Sequence, residues 1–162
     1  MRWFNIYQKI LIGIDGSKHS YNALLKAIDI QKLDKSKVIV FHSVEHHAEP
    51  TGMFMAPSYG ISQVYSISSP DIQRIKEVYE KNAQAIIDKA KELFSEQGLE
   101  VETRLVYEHG PVSYIKEMVE TENVDLVIIG SKGTHSLLEE ILLGSVADKV
   151  LRHVPCDILI IR

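Results

Sequence analysis

The sequence holds one cysteine, Cys156, in 162 residues, so no disulfide can form within the chain. A reducing cytoplasm is the compartment that fits. No apolar run approaches the ~18 residues that suggest a membrane span. The N-terminal "MRWFNIYQK" has one arginine and no long apolar stretch behind it, so it does not read as a secretory signal. Positive charge is not in excess: 18 Lys and Arg stand against 22 Asp and Glu, a formal charge of -4. Neutralising nucleic-acid phosphates needs clustered cations, so that class of partner is unsupported. No internal repeat is visible. What remains is 45% hydrophobic and 25% charged, enough apolar residues to build a real core, and it reads as one domain over residues 1–162.

The apolar run "KILIGID" (9–15) reads as a buried strand stopped by Gly16, and Ser17 as the cap of a helix that turns Leu24, Ala27 and Ile28 inward. "KVIVFHSV" (37–44) is a second buried strand. Residues 45–70 hold three prolines and two glycines without a clear period and read as a long loop. A helix from about Asp71 to Ser95 follows, with Ala83, Ile86, Ile87, Ala90, Leu93 and Phe94 in helical spacing. "LEVETRLVY" (99–107) alternates like an edge strand. Pro111 opens a helix with Ile115, Met118 and Val119 inward. "VDLVIIG" (124–130) is another buried strand, Leu143, Val146, Ala147 and Val150 mark a last helix, and "CDILIIR" (156–162) a last strand. Near-continuous apolar strands alternating with helices define an α/β fold with a mainly parallel sheet covered on both faces.

In such sheets ligands bind outside the carboxyl ends of the strands, where the strand order reverses. Gly130 ends a buried strand, and a glycine there allows a sharp turn and close approach. Gly133 keeps the same loop open. Gly144-Ser145 precedes the last helix, whose free N–H groups and dipole favour an anion. Two glycine clusters bracketing a loop and a helix start suit a phosphate. Lys132, between the first two glycines, is placed to reach one.

"ILIGIDGSKHS", "GSKG" and "LLGSVADKVLRHVPCDILII" resemble the universal stress protein family over essentially the whole chain. Its nucleotide-binding branch carries Gly, two residues, Gly, nine residues, then Gly-Ser or Gly-Thr. Here Gly130, Gly133 and Gly144-Ser145 fit, with ten residues in place of nine between Gly133 and Gly144. The resemblance implies a Rossmann-like three-layer sandwich whose five-stranded sheet has the order 3-2-1-4-5. It implies an adenine nucleotide, ATP or AMP, with Asp15 beside base and ribose and Ile14 and Ile129 in the same crevice. It places Ser43 where a backbone group reads the adenine edge, Gly130 near the ribose, and Gly133, Gly144, Ser145 and Val146 on the phosphates. Mg²⁺ or Mn²⁺ would accompany the phosphates. It also implies a homodimer through the last strand, whose bare apolar edge, Ile158 to Ile161, invites pairing.

Other chemistry finds less support. The spacings of a P-loop and of the dinucleotide G-x-G-x-x-G motif are absent. His42, His46 and His47 cluster without a cysteine nearby, a poor zinc set. Asp15 has no second carboxylate beside it in the first strand, as a Mg²⁺-dependent receiver site requires. Cys156 reads as a small buried hydrophobe in the last strand. No base or water-orienting group is evident, so the sequence predicts no turnover or only slow ATP hydrolysis. The functional expectation is a nucleotide-binding stress-response sensor or regulatory module. A slow hydrolase and an interaction module without nucleotide remain the alternatives.

Overall fold

A run of branched apolar residues is stable as a strand only where both faces are covered, and three strands of this chain are built that way. In the computed structural model, Ile10, Leu11, Ile12, Val38, Val40, Val127 and Ile128 are all buried. The structure describes residues 6–44, 54–55, 64–65, 69–107, 109–133 and 143–162. The strands are β1 (Lys9–Gly13), β2 (Lys37–Ser43), β3 (Phe54–Met55), β4 (Val64–Tyr65), β5 (Glu102–Val106), β6 (Leu126–Gly130) and β7 (Asp157–Ile161). The helices are α1 (Lys18–Asp34), α2 (Ser69–Glu96), α3 (Pro111–Glu122) and α4 (Ser145–His153).

The main sheet has five strands in the order β5-β2-β1-β6-β7, every neighbouring pair parallel. Counting its own strands along the chain, this is the expected 3-2-1-4-5. Alternation along each strand sends side chains to two layers. Ile10, Ile12, Val38 and Val40 meet Ala23, Leu24, Ile28, Ile87 and Phe94 of α1 and α2. Leu11, Ile39 and Phe41 meet Tyr114, Ile115, Met118, Ala147 and Val150 of α3 and α4. Tyr114 was not anticipated in this core; its ring lies 4.7 Å from that of Phe41, tilted by 52°. Truncating a fully buried residue such as Ile128 would cost about 2–5 kcal/mol.

The helix starts follow their sequence signals. Ser17 caps α1, its side chain accepting from the Ser20 amide at 3.1 Å. Gly16 supplies the turn before it with φ +80°. Pro111 stands in the first turn of α3. Three expectations need correction. The stretch 45–70 is not loop throughout: Phe54–Met55 pairs antiparallel with Val64–Tyr65, and α2 already begins at Ser69. Such two-residue strands are too short to leave a periodic signal. Leu143 lies before α4 and is not within it. Cys156 precedes β7 and is half-buried, its thiol pushed up by desolvation. His46 and His47 lie outside the described residues.

The two edges of the sheet differ. On β5, Arg104 points onto the α3 layer, where it donates to Glu102, to Glu122 at 2.7 Å and to the Tyr114 hydroxyl at 3.2 Å. Lys37 pairs with Glu102 at 2.8 Å and Lys9 with Glu122 at 3.6 Å. On β7 the outer residues after Asp157 are all apolar, and Ile158 to Ile161 are each half-buried.

Candidate functional site

The chain leaves β1 and β6 at neighbouring positions, Gly13 pairing with Ile129. From β1 it turns through α1 towards β2; from β6 it turns through α4 towards β7. The order reverses between them, and the carboxyl ends of β1 and β6 therefore open a crevice. Ile14 and Asp15 line one side and Ile129 and Gly130 the other. The side chains of Ile14 and Ile129 are buried in opposite layers. Only their main chains are left to face the crevice.

Asp15 is held by its own turn. Its Oδ1 accepts from the Ser17 amide at 3.0 Å. Its Oδ2 lies 2.7 Å from where a Cβ on Gly133 would stand. Backbone torsion does not require glycine at 133, since the positive-φ glycines among the described residues are Gly16 and Gly98; a Cβ there would push the Asp15 carboxylate, the mobile end of its side chain, out of its place. Gly130 also has a reason that the sequence did not disclose. A Cβ there would come within 2.9 Å of the His19 and Ser20 backbone, so its bareness admits the first turn of α1.

Ser131 joins the two glycine clusters. Its amide donates to the Ile161 carbonyl at 2.6 Å, and its carbonyl accepts from the Gly144 amide at 2.7 Å. Its buried hydroxyl meets His19 Nδ1 at 2.8 Å. Ser17 Oγ donates to the Lys132 carbonyl at 3.3 Å. The loop is thus tied to α1 on one side and to the start of α4 on the other. A Cβ on Gly144 would lie 3.7 Å from the Gly133 amide, so both glycines reach the same spot. The ten-residue interval between them does not separate them: whatever the extra residue does, it does between pinned ends.

Gly144 is the N-cap of α4, without a side-chain hydrogen bond, and the first helical bond runs from Asp148 to its carbonyl at 2.9 Å. Helices leave their first amides without a partner inside the helix, here those of Ser145, Val146 and Ala147. Ser145 is exposed, Val146 half-buried against the core. Lys132 is half-buried. Ser43 is the last residue of β2, and its hydroxyl is engaged by the His109 carbonyl at 2.7 Å, so only its main chain is left to read a ligand.

Nothing in the sequence pointed to the contact between His19 and Ser131 that braces this loop. The 112-residue separation of His19 from Ser131 leaves no local signal. Among the described residues no group of three or more His, Cys, Asp or Glu side chains is placed to hold a metal ion, and no helix is long and apolar enough to cross a membrane.

A doubly wound parallel sheet, with a glycine loop and a helix start at its switch point, defines a Rossmann-like α/β protein. The sequence profile of the Universal stress protein family matches residues 6–162. The chain belongs to that family. Among curated relatives, universal stress protein MJ0531 of Methanocaldococcus jannaschii is 30% identical, over 98% of this chain and 84% of the relative. YxiE of Bacillus subtilis is 30% identical, over 97% of this chain and all (100%) of its own. The fold is shared with solved structures of lower identity. UspA from Lactobacillus plantarum superposes with a TM-score of 0.75 at 20% identity, over 96% of this chain and 98% of its own. A universal stress protein from Archaeoglobus fulgidus in complex with dAMP gives 0.59 at 21%, over 97% and 99%. One from Arabidopsis thaliana with AMP bound gives 0.60 at 12%, over 95% and 90%.

Proposed function

We propose that the chain binds an adenine nucleotide, ATP or AMP, in the crevice at the ends of β1 and β6. The phosphates lie on the amides of Gly133 and of Ser145 and Val146, next to Gly144, with Lys132 at the rim of the loop. Asp15 accepts from the ribose hydroxyls, and the main chain at Ile14, Ser43, Ile129 and Gly130 lines the base and sugar. The observation that carries this reading is the bond from the Gly144 amide to the Ser131 carbonyl, which sets the open start of α4 beside Gly133. The nucleotides bound to the Archaeoglobus and Arabidopsis proteins support it. A Mg²⁺ or Mn²⁺ ion would enter on the phosphates, since the described side chains offer no carboxylate cluster for it. The chain then acts in the cytoplasm as a stress-response sensor or regulatory module, with turnover absent or slow. A homodimer through β7 completes the reading; an apolar edge at β7 opposite the charged edge at β5 supports it.

Calorimetry with ATP and with AMP tests the binding. Saturable heat at millimolar nucleotide or below is expected. Its absence for both ligands would leave an interaction module without nucleotide as the better reading.

A further inference from the structure

The register between β1 and β2 ends at the pair Gly13 and Phe41, although β2 runs on to Ser43. One more rung begins, the Ile14 amide donating to the Phe41 carbonyl at 3.0 Å. In a parallel ladder a residue's N–H and C=O address the same neighbour, so the next bond would run from the Ser43 amide to the Ile14 carbonyl. It is not made. His42 Nδ1 takes that carbonyl instead, at 2.7 Å. A carbonyl only accepts, so the imidazole donates and Nδ1 carries the proton. Nor does β5 take the Ser43 amide. Residues of β2 alternate between their neighbours, and it is the Val44 amide that donates to Val106, at 2.8 Å. Among the described residues the Ser43 amide has no backbone acceptor.

We infer that His42 is a positioning residue: its imidazole, bonded to the Ile14 carbonyl, holds the β1–β2 fork open and presents the Ser43 N–H to an acceptor on the ligand, such as a purine ring nitrogen. The inference rests on the nucleotide reading, in which the Ser43 main chain already meets the base, and adds the side chain that keeps its N–H free. Alternation places His42 on the α1/α2 side with Val38 and Val40, and Ser43 on the other, where its hydroxyl anchors it to His109. The fork borders Asp15. It lies about two strand spacings, roughly 10 Å, from the glycine loop after β6, a distance that a nucleoside phosphate spans. An aliphatic residue at 42 would surrender the Ile14 carbonyl, and the Ser43 amide would close the rung.

Two variants separate these states. His42→Asn keeps an amide N–H where Nδ1 stands; His42→Leu removes the donor and keeps the bulk. Amide hydrogen exchange in the ligand-free protein is expected to show Ser43 unprotected in wild type and in His42→Asn, and protected in His42→Leu. By NMR titration, His42→Leu should bind AMP about tenfold more weakly, the worth of one hydrogen bond, and bind ribose 5-phosphate as wild type does. His42→Asn should match wild type for both. A protected Ser43 amide in the wild type would overturn the inference. So would an equal loss of AMP and ribose 5-phosphate in both variants, which marks a merely structural histidine. A wild type that fails to bind AMP removes the nucleotide reading and the ligand role of Ser43 with it; the exchange pattern then decides alone whether His42 holds the fork.

Discussion

The Gly144 amide and the Ser131 carbonyl lie 2.7 Å apart, across a gap of twelve residues in sequence. This bond fixes the width of the candidate phosphate loop whatever the length of chain between its ends. Removing one residue from 134–142, which restores the nine-residue interval, should therefore change AMP affinity by less than about threefold, because a short change in loop length costs only tenths of a kcal/mol. Calorimetry on the deletion variant checks this. A tenfold change would mean that the extra residue itself touches the ligand.

Gly133→Val should abolish nucleotide binding and leave the fold intact. The added Cβ would stand 2.7 Å from Asp15 Oδ2, and the position is exposed. The expected outcome is no heat with ATP and a thermal midpoint close to that of wild type.

Gly130→Ala should act on stability first. Its methyl would meet the α1 backbone at 2.9 Å, and backbone cannot rotate away as a side chain does. A loss of about 1–3 kcal/mol in urea denaturation is expected. A neutral result would show that the first turn of α1 can retreat.

Acid should weaken the β5 edge. Hydrogen bonds from Lys37 and then Arg104 hold the Glu102 carboxyl below its ordinary value, and one from Arg104 does the same for Glu122. A carboxylate depressed in the folded state contributes stability that is complete above its unfolded pKa and lost as pH falls through the folded one. The thermal midpoint should stay level from neutral pH to about pH 5 and fall below it. Arg104→Gln should lower the midpoint at neutral pH and flatten the acid limb. An unchanged limb would show that other carboxylates govern acid unfolding.

The dimer has its own measurement. Light scattering at micromolar concentration should give twice the monomer mass, and Ile160→Pro, which deletes a ladder donor on β7, should halve it. Circular dichroism must show the variant folded. A monomer mass for the wild type rules out the pairing.

Most of the fold could be read from local pattern. Runs such as Ile10–Ile12 and Val127–Ile129, short, mostly β-branched and bounded by glycine or polar residues, read as strands buried on both faces, and Ser17 and Pro111 announce their helices. The resemblance supplied the strand order, and the glycines pointed to the crevice. The reasons behind those glycines were out of reach. That Gly130 makes room for α1, and Gly133 for Asp15, depends on approaches between distant segments. The same holds for Arg104, which reads as the polar half of an alternating edge strand and turns out to face the α3 layer. Phe54 and Val64 carried no period long enough to reveal their pairing.

The contrast between the sheet's two rims sets a valence. Along β5 a guanidinium bound to two carboxylates sits at the rim, and a strand laid against it would have to disturb that cluster or meet its charge. Along β7 nothing charged follows Asp157 until the last residue. A particle with one open side and one closed side can join one copy of itself and then has nothing left to offer. Were two copies to pair along β7, the β5 rims, each with its Arg104 cluster, would be left as the outer edges, and no apolar edge would remain for a third copy.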